Sequence, residues 1–325
     1  LKLPGKPLLV RAVPALVLLF SIGAVFQFSG GLPIRVNGRI MAFESLRPWD
    51  YSKYCRDIEI PGIRDGKPCE LGDTSRASVD FILWGDSHAG HYVPAIDTLA
   101  KSQHLRGVQF ARAGCPAFLD NAGTYKECRQ LNRSVMAWLQ TQSLRFVLLG
   151  GRWSAYPKEI QRDLASNGNS ETASGLSPTL AGLDKAKVPV VVLDKIPAFE
   201  QNIRLCSARE LMHGRSYEWC LHQPEAIFRA RHKFVDEYFG YLKKRHVFSI
   251  ATALSALCDG ETCHAAVNGE IMIRDSHHLT PAGALYVMPY LRIPGLSPGL
   301  IASGAPAASH SGGISGQLPS DAPVP

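Results

Sequence analysis

One stretch constrains this chain more than any other. Phe81-Ile82-Leu83-Trp84 is an unbroken apolar run that stops on Gly85-Asp86-Ser87-His88. A short apolar run bounded by a turn reads as a strand buried on both faces, which is the habit of sheets covered by helices. The turn that ends it would hold Ser87 at the carboxyl edge of such a sheet, with the first turn of the next helix behind it. That position suits an exposed nucleophile.

The rest of the chain repeats the alternation. Strand-like runs at 79–84, 107–112, 145–150, 188–194 and 247–251 are separated by helical patterns at 88–102, 126–141, 176–186 and 226–245. This order predicts an α/β fold with a doubly wound parallel sheet of about five strands. A Ser/Asn/Gly-rich segment at 165–175 and an irregular insertion at 206–220 interrupt the pattern. Val267-Asn268-Gly269-Glu270 predicts a two-residue hairpin. Thr280-Pro281 predicts a helix start, threonine as N-cap and proline in the first turn, with the last helix at 281–291.

A serine nucleophile needs a base, and Asp275-Ser276-His277-His278 offers one. In a short ordered segment Asp275 can orient the imidazole of His278 while its other ring nitrogen faces Ser87. Alone, each motif has a plainer reading: Ser87 as a helix N-cap, Asp275 as a surface turn. Their places, after the first strand of the alternating region and before its last helix, favour acyl chemistry. His277 is the rival base, at a different spacing from Asp275. His88 is expected to point elsewhere. His88 and His91, three residues apart, are of metal-ligand type, but helix-face histidines are the commoner arrangement and no metal is expected.

Gly85-Asp86-Ser87-His88 together with Asp275-x-x-His278-Leu279-Thr280 resembles the SGNH hydrolase superfamily. It is most similar to the extracytoplasmic SGNH domain fused to the C-terminus of acyltransferase-3 membrane enzymes. The likeness includes Val147-Leu148-Leu149-Gly150-Gly151-Arg152-Trp153 and the cysteine-bounded segment before Asp275, over residues 76–293. The resemblance implies a flavodoxin-like three-layer sandwich, no cofactor, and O-acylation, usually O-acetylation, of a cell-surface or exported glycan through an acyl-serine on Ser87. An esterase running the same chemistry toward water, or a silent glycan-binding domain, are the alternatives.

The backbone N–H of Ser87 is one oxyanion donor by position, and the superfamily's second block adds Gly114, in Ala113-Gly114-Cys115-Pro116. The third block normally supplies an asparagine, and here the strand ends in Gly150-Gly151-Arg152-Trp153 without one. Arg152 is left as a replacement donor, as a binder of a negatively charged substrate group, or as half of a structural ion pair. Trp153 either lines a sugar site or packs on the sheet edge.

Residues 12–28 carry no charge, which reaches the lower length limit for a membrane span, and Lys2, Lys6 and Arg11 precede them. The expected organisation is a transmembrane anchor at 1–30 with its N-terminus in the cytoplasm, an extracytoplasmic linker at 31–75, the SGNH catalytic domain at 76–295 and a disordered tail at 296–325. A cleaved signal peptide and a core helix are the rival readings of the apolar segment. The chain begins at Leu1, and the resemblance implies an upstream polytopic membrane domain that supplies the acyl donor.

The eight cysteines, 55, 69, 115, 128, 206, 220, 258 and 263, fall into four neighbouring pairs. So many in one chain point to disulfides in an oxidising, periplasm-like compartment. Loop economy favours Cys55 with Cys69, Cys115 with Cys128, Cys206 with Cys220 and Cys258 with Cys263. No C-x-x-C spacing suggests zinc. The net charge of +7 is spread rather than clustered, which argues against nucleic acid and fits a partner such as an acidic glycan or an anionic headgroup.

Overall fold

The computed structural model describes residues 6–28, 69–119, 126–169 and 172–296. Its strands are β1 (Cys69–Gly72), β2 (Phe81–Gly85), β3 (Arg106–Ala111), β4 (Phe146–Gly150), β5 (Val190–Leu193), β6 (His222–Pro224), β7 (Ser249–Ala251), β8 (Thr262–His264), β9 (Ala266–Val267) and β10 (Glu270–Ile271). Six of them form one sheet in the order β1-β3-β2-β4-β5-β7. The five expected strands, β3, β2, β4, β5 and β7, run parallel. The sixth is a correction: β1 pairs antiparallel with β3, Cys69 opposite Gln109, and comes from the segment read as linker. Its four residues carry too little alternation to stand out as a strand.

Helices cover both faces of this sheet, so β2 is buried throughout. Side chains alternate across a strand. Phe81 and Leu83 face a layer with Tyr92, Ile96, Leu99 and, from the last helix, Val287. Ile82 and Trp84 face Leu131, Val135, Val235 and Tyr238 on the other side. Each such side chain, fully withdrawn from water, contributes about 1.5–3 kcal/mol of transfer free energy.

The helix expected at 88–102 forms in two pieces, Ser87–Gly90 and Val93–Ser102. Pro94 lies in the first turn of the second piece, where its missing N–H leaves no helical bond unmade. Lys126–Leu139, Ser177–Ala186 and Glu225–Lys243 appear where helices were expected. Pro157–Ser166 and Ile203–Met212 were not foreseen. The second occupies part of the insertion read as irregular, and Asn202 caps it by accepting the Leu205 N–H at 3.1 Å. The last helix stops at Val287, before a short 3-10 turn containing Pro289. In the expected hairpin Val267 faces Glu270, and Asn268 and Gly269 both adopt positive φ, 51° and 79°.

Cys115–Cys128, Cys206–Cys220 and Cys258–Cys263 are bonded as expected. Cys69 is also in a disulfide, while Cys55 lies outside the described residues. A helix, Lys6–Phe28, forms at the expected anchor, with Leu16, Leu19 and Phe20 exposed. Among the described residues, however, no helix is long and apolar enough to cross a membrane, so the structure supports the helix and not the span. The remainder of the expected linker and nearly all of the expected tail lie outside the described residues.

Candidate active site

Two glycines and an aspartate create the turn that presents Ser87. Gly85 has φ +153°, and a Cβ there would overlap the carbonyl oxygen of Gly150 on the adjacent strand. A Cβ on Gly150 would lie 2.7 Å from the Cα of Ala89, so both glycines are needed for the short helix to sit this close to the sheet. Asp86, not Ser87, caps that helix: its Oδ1 accepts the backbone N–H of His88 at 2.7 Å. Asp86 Oδ2 accepts the backbone N–H of Arg152 at 2.9 Å and the hydroxyl of Tyr156 at 2.7 Å. Burial pushes this carboxyl up, against the pull of those three donors.

Ser87, freed from capping, meets the residues from the far end of the chain. Its Oγ lies 2.9 Å from Nε2 of His278, and Nδ1 of His278 lies 2.8 Å from Oδ2 of Asp275. Asp275 Oδ1 accepts the backbone N–H groups of His277 and His278, each at 2.9 Å. Burial disfavours a charge on Asp275, but the hydrogen bond and charge at His278 and the His277 N–H outweigh it and hold the carboxyl well below the usual range. The loop is braced from outside, where Phe199 N–H donates to the carbonyl of Ser276 at 2.7 Å and Ile203 N–H to that of Asp275 at 2.9 Å. The unforeseen helix therefore begins on the carboxylate-bearing loop.

His88 overturns its expectation. It is buried, and its Nε2 lies 3.0 Å from Nδ1 of His277. Its ring centre is 5.0 Å from that of His278, and the His277 ring is 4.1 Å from the same imidazole. His91 packs edge-on to His278 at 6.1 Å. Burial, reinforced by the neighbouring histidines, lowers His88 and His91 well below the ordinary histidine value, and burial brings His277 to about 4. His277 makes no direct bridge to Asp275 through its ring; its backbone does. The Asp275 carboxylate is on His278.

Arg152 follows β4 at the same sheet edge as Ser87 and is exposed. Its backbone N–H is committed to Asp86, which leaves only the guanidinium to meet a substrate. That side chain lines a small cleft with His88, His277, Lys195 and Ala198. Gly114, at φ +72°, lies in the turn closed by the bridge between Arg112 and Cys115, and Arg112 N–H donates to Gly85 O at 3.0 Å. Trp153 is core: it is 1% exposed, donates to Leu193 O at 3.0 Å and stacks near Phe118, so packing and not sugar contact is its role. Asp86 and the buried Lys195, which pairs with Asp194 and Asp236, had no recognised part in the sequence. For Asp86 a signal existed, an N-cap residue directly after a strand.

The family described as "SGNH domain (fused to AT3 domains)" matches residues 54–292. The chain belongs to this family. No curated protein matches it. Among solved structures it is similar to the periplasmic domain of a lipopolysaccharide acetyltransferase from Salmonella ser. Paratyphi A, with 14% identity and a TM-score of 0.54 over 77% of this chain and 92% of that one. At that identity the likeness is one of fold.

Proposed function

We propose that this SGNH domain is the transferase half of an extracytoplasmic O-acetyltransferase that modifies a glycan. The observation that carries the reading is the unbroken contact from Ser87 Oγ through the His278 ring to Asp275. His278 Nε2 takes the Ser87 proton as Oγ attacks the acyl carbonyl, and returns it to the departing group of the donor. The acyl-serine is then attacked by a glycan hydroxyl whose proton passes to the same nitrogen and finally to Ser87 Oγ. Asp275 keeps the proton on Nδ1 and balances the imidazolium.

The Ser87 and Gly114 N–H groups and the Arg152 guanidinium are assigned to the developing oxyanion. The family's fusion to AT3 domains supports an upstream membrane partner as the acyl donor. The disulfides support an oxidising compartment, and the exposed apolar side chains of the helix Lys6–Phe28 support a place at the membrane. A second reading, an acetyl esterase, draws on the partial exposure of Ser87 and His278, which leaves water a route to the acyl-serine. Supplying an acetyl ester with and without an acidic oligosaccharide separates the two. Acetylated sugar marks the transferase, and free acetate alone marks the esterase.

A further inference from the structure

One ring nitrogen from each of His88, His277 and His278 lies within 4.8 Å of the other two. We propose that these three histidines form an inhibitory site for a borderline transition-metal cation, zinc above all, which silences the domain by occupying the ring that Ser87 needs.

One of the three separations is already close to what the ion requires, and His278 has to close in from within 4.8 Å. A tetrahedral zinc with bonds of about 2.0–2.1 Å separates its nitrogen ligands by roughly 3.3 Å, and His88 Nε2 and His277 Nδ1 are already 3.0 Å apart. Asp275, bonded to Nδ1 of His278 at 2.8 Å, stands where a carboxylate orients a metal-binding histidine. His88 is buried, while His277 and His278 are partly open to solvent, so the ion enters from the substrate side and keeps an open position there. Three imidazoles favour zinc, copper or nickel over magnesium or calcium.

The protons balance without an outside acid or base. The bond between His88 and His277 holds one proton between two nitrogens; it moves to the other nitrogen of its own ring, and both lone pairs then face the cation. Nε2 of His278, once bound to metal, no longer accepts the Ser87 proton. Inhibition therefore rests on the proposed role of His278, whereas binding does not.

A second histidine pair, His222 and His264, 3.0 Å apart beside Asp259, is a surface rival for the same ion, and His264→Gln disables it. Zinc chloride titrated calorimetrically into the His264→Gln chain near neutral pH should bind one ion per molecule at micromolar concentration. Cobalt(II) should give the intense visible bands of a tetrahedral site. Hydrolysis of a small acetyl ester should fall in step with zinc occupancy and return with a chelator, while magnesium does neither. Adding His277→Gln, at a partly buried position, should weaken zinc at least tenfold, with a thermal melt confirming the fold. No binding up to millimolar zinc, equal binding after His277→Gln, or full occupancy with undiminished hydrolysis would each overturn the proposal. An enzyme inactive without any metal, yet binding zinc as described, would refute the proposed catalysis and leave the site standing.

Discussion

The carboxylate of Asp86 accepts the backbone N–H of Arg152 at 2.9 Å, joining the end of the nucleophile strand to the end of its neighbour. The same side chain caps the helix behind Ser87 and receives the Tyr156 hydroxyl. Asp86→Asn keeps the shape but replaces one acceptor oxygen with a donor that must face a backbone N–H. The unmade bond should cost about 1–3 kcal/mol, seen as a melting point lower by several degrees, and kcat should fall more than KM as Arg152 shifts. An unchanged melt and unchanged kinetics would show that the clamp has no role.

Arg152 separates three roles by one comparison. As an oxyanion donor, Arg152→Lys should lower kcat on a small neutral ester by about 10²-fold with little change in KM, because lysine retains the charge and loses the planar fork. If the guanidinium binds an acidic acceptor instead, ester hydrolysis should stay near wild type while transfer to the glycan fails. A purely structural role would lower the melting point with both activities.

The histidine cluster makes the fold sensitive to acid. His88, His91 and His277 have folded pKa values below the unfolded one, through burial and mutual repulsion. Between the ordinary histidine value near 6.5 and the lower folded values the unfolded chain binds more protons, so stability falls as pH falls through this window. Each buried ring that stays neutral contributes about 1.4 kcal/mol per pH unit to that loss. Melting temperatures measured from pH 7 to pH 4 should decline steeply, and less steeply in His277→Gln. Parallel slopes would contradict the effect.

Much of this was legible beforehand, for identifiable reasons. The five parallel strands were visible because strands buried on both faces are continuous apolar runs. Ser87, Asp275 and His278 were visible because the turn and the Asp-x-x-His spacing are local. The edge strand Cys69–Gly72 was hidden by its length, and the helix Ile203–Met212 by the cysteine-bounded insertion it begins. The position of His88 was not readable at all: its partner, His277, is 189 residues away, and only the closing of the sheet brings them together.

The disulfide account has an open end at Cys55. A non-reduced peptide map of material from an oxidising compartment should return Cys55 with Cys69 besides the three bonds already described. Reduction should cost about 3 kcal/mol for each of the loops spanning 13 and 14 residues and about 2 kcal/mol for the short Cys258–Cys263 loop in the chain-entropy model. A Cys55 peptide joined to any other cysteine would contradict neighbour pairing.

Intact-mass spectrometry after brief exposure to an activated acetyl ester reads the central claim directly. The parent chain should gain the mass of one acetyl group, located by peptide mapping on Ser87, and should lose it when a glycan hydroxyl is supplied. His278→Ala should acquire it far more slowly and Ser87→Ala not at all. An acetyl group of equal yield on Ser87→Ala, or turnover retained by that variant, would contradict an acyl-serine mechanism.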